Sequence, residues 1–410
     1  MKLRIGPYPL TSGEVSGALG DLGVLIPLEA ALIAVNGLNP TSTLLGVGII
    51  YILSGWYFRI PVPVQPLKAL AVIAVAHQLS PSVIAAGALL MAACLSLLSA
   101  TRALAFLERV VPTWVIRGVQ AGLGLLLLKS AYQMVFQKPF LLSGVELTAQ
   151  VGSLAIPAGV LVGVGSVVLL LLLLRFRQVP AALVIVAVGV IIGLLSGGLS
   201  TPLSLGPVPM ALQLPSGSDF QMAFVLLVIP QIPLTLANSV IATADAARVY
   251  FGPQAERATP TRLAVSIALG NLWAGLTGGL PNCHGSGGLT SHYKLGARTP
   301  LATTLLGVVL IAVALLFGRS AFETRALLPA ATLGALLAYV GVQHLLLGAR
   351  VEKRTEIVLV AAVAIVALAF NGNLAIGAGA GLGAHWAWKA VSSSLYRAGD
   401  SRAWRRSRKA

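Results

Sequence analysis

The run Pro281–Thr299, PNCHGSGGLTSHYKLGART, gathers residue types suited to holding an anion. Gly285, Gly287 and Gly288 let backbone N–H groups turn toward a bound group, and Ser286, Thr290 and Ser291 add hydroxyls. Asn282 offers a carboxamide, and His284 a neutral donor or a proton carrier. After the turn the sequence reads as a short helix that begins between two long apolar stretches. A helix N-terminus carries partial positive charge and unpaired N–H donors, which suits an oxyanion. The competing readings are a re-entrant loop that only packs and, for His284, a ring held by one structural hydrogen bond. Cys283 beside His284 also raises a nucleophile and its base, but neighbours on one backbone rarely bring their functional atoms together. The same adjacency is no metal motif, and two cysteines give no disulfide framework. No metal, nucleotide loop or other cofactor is expected.

A second stretch has the same character. Pro61–Ala76 reads PVPVQPLKALAVIAVA. Its prolines forbid a helix at the start and favour an extended run, after which Pro66 can sit at the first helical turn. Gln65 can donate to an oxyanion. Lys68 can supply a full positive charge, snorkel, or pair with a carboxylate. Two interrupted segments of this kind, at corresponding positions in two halves, point to a carrier site near the bilayer midplane.

Other polar residues fall in the segments expected beside these half-helices. Glu14, Asp21 and Glu29 lie in or near the first apolar segment, GALGDLGVLIPL, whose glycines allow close helix approach. Intramembrane carboxylates are costly, so Asp21 and Glu14 are candidates for ion coupling, the alternative for Asp21 being a structural pair with Lys68 or a helix-end donor. In Pro230–Ala246, Gln231, Thr235 and Asn238 share one helical face and can line a cavity with neutral donors or simply bond a neighbouring helix. Neither half-helix carries an acid, so the surface suits a small oxyanion better than a cation or a planar base.

The elements that must position these residues are transmembrane. The chain is 57% hydrophobic and 10% charged, and its mean hydropathy is +0.90. A soluble protein carries about 25% charged residues. The start of the chain shows no cleavable leader. Apolar segments of about twenty residues are expected at 12–36, 41–58, 64–78, 82–100, 117–136, 157–174 and 180–197, then at 221–245, 263–279, 284–296, 299–317, 326–347, 356–370 and 374–392. This is an all-α fold of about fourteen spans in two inverted sets of seven. The repeats are 1–197 and 220–392, and the Pro-, Gly- and Ser-rich Gly198–Phe220 divides them. Basic residues cluster at one set of span ends, including Arg117, Arg350 and the tail 393–410. That places both termini in the cytoplasm of a multi-pass protein of the inner (plasma) membrane. The net charge of +16 sits between apolar segments and in the tail, so it speaks for a lipid bilayer and against nucleic acid.

GALGDLGVLIPL, PVPVQPLKA, PQIPLTLANS and PNCHGSGGLTSHYKLGART together resemble the signatures of the molybdate transporter family, which is related to the sulfate permeases (SulP-like). The resemblance spans roughly residues 12–300. It departs at GVLIPL, where a GTFIPI-like form is expected, outside the presumed contact residues. It implies a core domain of spans 1–4 and 8–11, a gate domain of spans 5–7 and 12–14, and two strand-and-half-helix segments. It also implies secondary uptake of molybdate, with tungstate as a mimic, and leaves a homodimer open. The rivals are a sulfate or other oxyanion permease, a nucleobase:proton symporter and, weakest, a membrane-embedded enzyme.

Overall fold

The computed structural model describes residues 4–5, 7–19, 22–101, 112–137, 141–142, 145–146, 148–151, 154–176, 179, 181–195, 205–323, 328–351 and 354–389. Asp21 and the basic tail 393–410 lie outside the described residues.

Helix starts follow local signals. Asn39, Ser80 and Thr259 each accept a hydrogen bond from a backbone N–H in the first turn, and a proline follows each of them. A cap of this kind satisfies an orphan donor, and proline at the first position loses no bond. The first half contains α1 (Ser12–Ala18), α2 (Leu22–Asn36), α3 (Pro40–Phe58), α4 (Lys68–Ala76) and α5 (Pro81–Ala100). It continues with α6 (Thr113–Phe136), α7 (Ala158–Leu173) and α8 (Ala181–Leu195). The second half contains α9 (Gly217–Ala255), α10 (Pro260–Thr277), α11 (Ser286–Lys294), α12 (Pro300–Glu323) and α13 (Ala330–Gly348). α14 (Arg354–Ala369) and α15 (374–389) complete the described helices.

Helix is present within every expected apolar segment, with one correction. The segment 12–36 is not one helix: α1 and α2 are separate. α1 packs instead on α11 and α12. A Cβ at Gly17 would overlap Ala297, so the backbones touch there. Among the described residues, six helices, in α3, α5, α6, α9, α12 and α13, are long and apolar enough to cross a membrane. Large apolar side chains also face outward, among them Leu53 at 63%, Leu97 at 64% and Val358 at 70% exposure. Such a surface is stable in lipid, where helices satisfy their own backbone.

The packing repeats. α3 lies along α12, and α5 along α10. Exchanging every segment for its counterpart in the other half turns the first pair into the second. The same exchange carries the α6–α14 contact onto α13–α7, and it carries the tight α6–α13 pair onto itself. At that last crossing a Cβ on Gly124 would stand 2.7 Å from the Gly341 carbonyl oxygen, and one on Gly341 3.0 Å from the Gly124 oxygen. Only glycine at both positions allows this approach.

The site is built on two short strands. β1 (Gln65–Pro66) pairs antiparallel with β2 (Asn282–Cys283), matching Gln65 to Cys283 and Pro66 to Asn282. The chain leaves an antiparallel pair from opposite ends, so α4 and α11 start near one another and run apart. The expectation of an extended piece followed by a half-helix holds in both halves.

Candidate functional site

The strand pair is fixed from behind by hydrogen-bonded side chains. His284 Nδ1 pairs with the Pro63 carbonyl at 2.8 Å, and Nε2 with the Ser266 hydroxyl at 2.8 Å. A carbonyl only accepts, so Nδ1 carries the proton and Nε2 takes the serine hydrogen. The ring therefore ties the extended run before α4 to α10. Asn271 donates to the Asn282 carbonyl at 2.6 Å, and Asn282 donates to Leu280 at 3.0 Å. Thr243 donates to the His284 carbonyl at 2.7 Å, joining α9 to the same loop. Asn282 and His284 are buried and lie behind the cavity wall rather than on it.

In front of the strands is a cavity of about 310 Å³. One wall holds Lys68 at the start of α4, Cys283 of β2, Ser286 at the start of α11, and Gln231, Asn238 and Ser239 of α9. The opposite wall holds Arg117 and Gln120 of α6, His344 of α13 and Arg350 just beyond α13. Gln231 and His344 lie at the buried end, and Thr113 and Arg350 at the exposed end. A second cavity, of about 520 Å³, lies at the other ends of the same elements. It meets Gln78 after α4, Ser130 and Gln133 of α6, and Ala330 and Leu333 of α13. Between the two, Leu70 and Ile73 of α4 pack in one buried cluster with Leu123 and Leu127 of α6 and Leu337 and Val340 of α13.

The donors at the half-helix ends are only partly used. Gln231 accepts the Leu70 N–H at 3.0 Å and donates to Thr235 at 2.8 Å. Thr235 thus sits behind Gln231, fully buried, and not on the wall beside it. From Thr235 to Ile241 α9 widens to a π-helix, and Gln231 and Asn238 remain on the cavity wall. Ser286 donates to the Asn238 carboxamide oxygen at 2.7 Å, which leaves the Asn238 NH₂ for another partner. Among the described residues, no acceptor takes the N–H groups of Ser286, Gly287 or Gly288. Nor does any hydrogen bond or ion pair hold the Lys68 ammonium. Gly285 is buried against Gln65, whose Oε1 occupies the space a Cβ would need.

The carboxylates fall elsewhere. Glu14 Oε1 accepts the N–H groups of Arg298 at 3.0 Å and Thr299 at 3.1 Å. It caps the approach to α12 and does not line either cavity between α4, α6 and α13. The residues missed in the sequence are Arg117, Gln120, His344 and Arg350. Arg117 and Arg350 read there only as charges marking span ends, because nothing local says that α6 and α13 face the half-helices.

Crossed half-helices on a strand pair, a donor-lined cavity at their meeting point, and outward apolar faces define a multi-pass membrane transporter fold. Solved structures agree. The transmembrane domain of the cyanobacterial bicarbonate transporter BicA matches with TM-score 0.66 and 18% identity, over 92% of this chain and 99% of that one. Murine Slc26a9, described as an anion transporter in the inward-facing state, matches with TM-score 0.63 and 14% identity, over 96% and 70%. The chain belongs to the molybdate transporter family. The family model described as "Molybdate transporter of MFS superfamily" matches residues 13–127 and 223–344. Molybdate transporter 2 of Arabidopsis thaliana is 33% identical over 82% of this chain and 78% of its own. Molybdate transporter 1 of Chlamydomonas reinhardtii is 32% identical over 89% of each. The fold is that of BicA and Slc26a9, whatever superfamily the model's description names.

Proposed function

We propose that this protein is a secondary transporter that carries molybdate into the cell. The observation that carries the reading is the cavity at the starts of α4 and α11, where Lys68, Ser286 and Asn238 meet with no acid on the wall. A tetrahedral dianion there would take the unpaired N–H groups of Ser286, Gly287 and Gly288, the Asn238 NH₂ and the Lys68 ammonium. Gln65, Asn282, His284, Gly285 and Thr235 act as positioning residues for that surface. Tungstate presents the same oxygens and competes. Sulfate is smaller, and the extent of its competition separates a molybdate carrier from a general oxyanion permease.

The core domain in this reading holds α1–α5 and α9–α12, and the gate domain holds α6–α8 and α13–α15. The two cavities lie at opposite ends of the core–gate boundary, and the repeat relates the α6 and α13 ends that line them. α4, which separates them, spans nine residues, or about 12 Å. Movement of the core past the gate would open one cavity as it closes the other. With both termini cytoplasmic in a plasma membrane, the Arg117 and Arg350 end faces inward, so the conformation is open to the cytoplasm. Dianion entry against a negative interior costs about 2.3 kcal/mol per charge per 100 mV. A co-transported cation or capture after entry must offset it.

Calorimetric titration of the purified protein with molybdate tests the site. Ser286→Ala removes one hydroxyl and frees the Asn238 oxygen to face the anion, so binding should weaken about tenfold, or about 1.4 kcal/mol. Unchanged affinity in Ser286→Ala would move the anion away from the α11 end.

A further inference from the structure

The wall opposite the half-helices carries its own charge. Arg117, in the second turn of α6, and Arg350, just past α13, line the same cavity. They come from different halves of the chain and bring two guanidinium groups to one cavity. Arg117 donates to the Gln120 carboxamide oxygen at 3.0 Å, while its Nε is buried with no partner. His344, at 4% exposure, is on the same wall, and its Nδ1 is likewise buried without a partner. Among the described residues, no Asp or Glu lines this cavity or pairs with either arginine.

Two like charges held together without a counter-charge are unfavourable unless an anion shares them. The buried, unpartnered Arg117 Nε and His344 Nδ1 add the cost of unmade hydrogen bonds. Guanidinium is also the side-chain group best matched to the paired oxygens of an oxyanion. A tetrahedral dianion held between the arginines would offset the like charges and take the Arg117 Nε–H, while His344 lies at the other, buried end of the cavity.

We propose that Arg117 and Arg350 form a second anion station at the mouth of the cavity, distinct from the half-helix site and serving its traffic. A doubly charged oxyanion is captured or released there on its way between the cytoplasm and the α4–α11 ends. Arg350 is exposed and sits where solvent meets the cavity, and Arg117 lies further in, half-buried. A narrow cavity with one sign of charge concentrates counter-ions and raises association rates by about tenfold or more. The station therefore acts on the on-rate, while the half-helix donors set the residence time. This inference rests on the oxyanion reading of the cavity.

The test is stopped-flow binding to the full-length purified protein at two salt concentrations, with molybdate as the probe. In Arg117→Gln/Arg350→Gln the association rate should fall about tenfold at low salt and lose most of its salt dependence. The dissociation rate should stay within about twofold, and Arg117→Lys/Arg350→Lys should recover most of the on-rate. A wild-type on-rate in the Gln pair overturns the station. A raised dissociation rate with an unchanged on-rate also overturns it, because the arginines would then belong to the main site. Wild-type protein that binds sulfate but not molybdate refutes the substrate and overturns the station as a molybdate device. Wild-type protein that binds neither removes both.

Discussion

Lys68→Gln should weaken molybdate binding about thirtyfold and leave the fold intact. Lys68 is the one full positive charge on the half-helix wall of the cavity. A hydrogen bond to a charged group contributes about 2 kcal/mol in a site of this kind, which is about thirtyfold in affinity. Its ammonium stands about where the two half-helices start, 3.6 Å from the position a Cβ on Gly285 would take. Because no hydrogen bond or ion pair among the described residues depends on it, thermal unfolding should move by little. Titration calorimetry and a melting curve on the same sample separate these effects. A large fall in melting temperature with unchanged affinity would make Lys68 a structural residue. An Arg at this position should recover only part of the affinity, since the longer planar head does not fit a point-charge position.

Gly285→Ala should also be costly, for a different reason. The added Cβ would occupy the place of Gln65 Oε1, in a fully packed part of the molecule. Overpacking of this order costs about 1–3 kcal/mol and moves backbone. The backbone that moves is the start of α11, where Ser286, Gly287 and Gly288 hold their N–H groups. Uptake in vesicles should fall at least about tenfold, and the melting temperature should drop with it. Gly165→Ala provides the comparison, since a Cβ at Gly165 in α7 meets nothing within 4 Å. Gly165→Ala should keep wild-type uptake. Equal behaviour of the two variants would remove the packing argument for Gly285. Gln65→Ala would clear the same space, so it should restore part of the folding stability of Gly285→Ala without restoring binding.

The sequence shows the half-helices plainly because their chemistry is local. Prolines at 61, 63 and 66 cannot make a helix, and PNCHGSGG cannot continue one. Both reappear as strand followed by helix, paired through Gln65 and Cys283. Three other features depend on tertiary contacts and are not visible in this way. The placement of α1 against α11 and α12 depends on the close approach of Gly17 to Ala297, a neighbour almost three hundred residues away. Thr235 sits behind Gln231, to which it is hydrogen-bonded, and α9 loosens into a π-helix that no residue pattern in TLANSVI announces. Arg117 and Arg350 face the half-helices only because α6 and α13 cross at Gly124 and Gly341. His284 is a middle case. Its position beside the site was legible, but its role depends on Pro63 and Ser266, which together occupy both ring nitrogens.

The same distinction bears on ion coupling. Glu14 spends one carboxylate oxygen on the backbone that leads into α12. Asp21 is not among the described residues. Neither can be assigned to coupling by its position. The cavity itself brings together cations and neutral donors, which is the chemistry of the carried anion and not of its co-ion.

Uptake of molybdenum into liposomes containing the purified protein, at low molybdate and with or without a large excess of sulfate, tests the central claim most directly. The account predicts saturable uptake that persists in sulfate, is suppressed by tungstate, and is lost in Lys68→Gln at the same molybdate concentration. Uptake abolished by sulfate would make the protein a general oxyanion permease. No saturable uptake under a proton gradient of either sign would contradict the account.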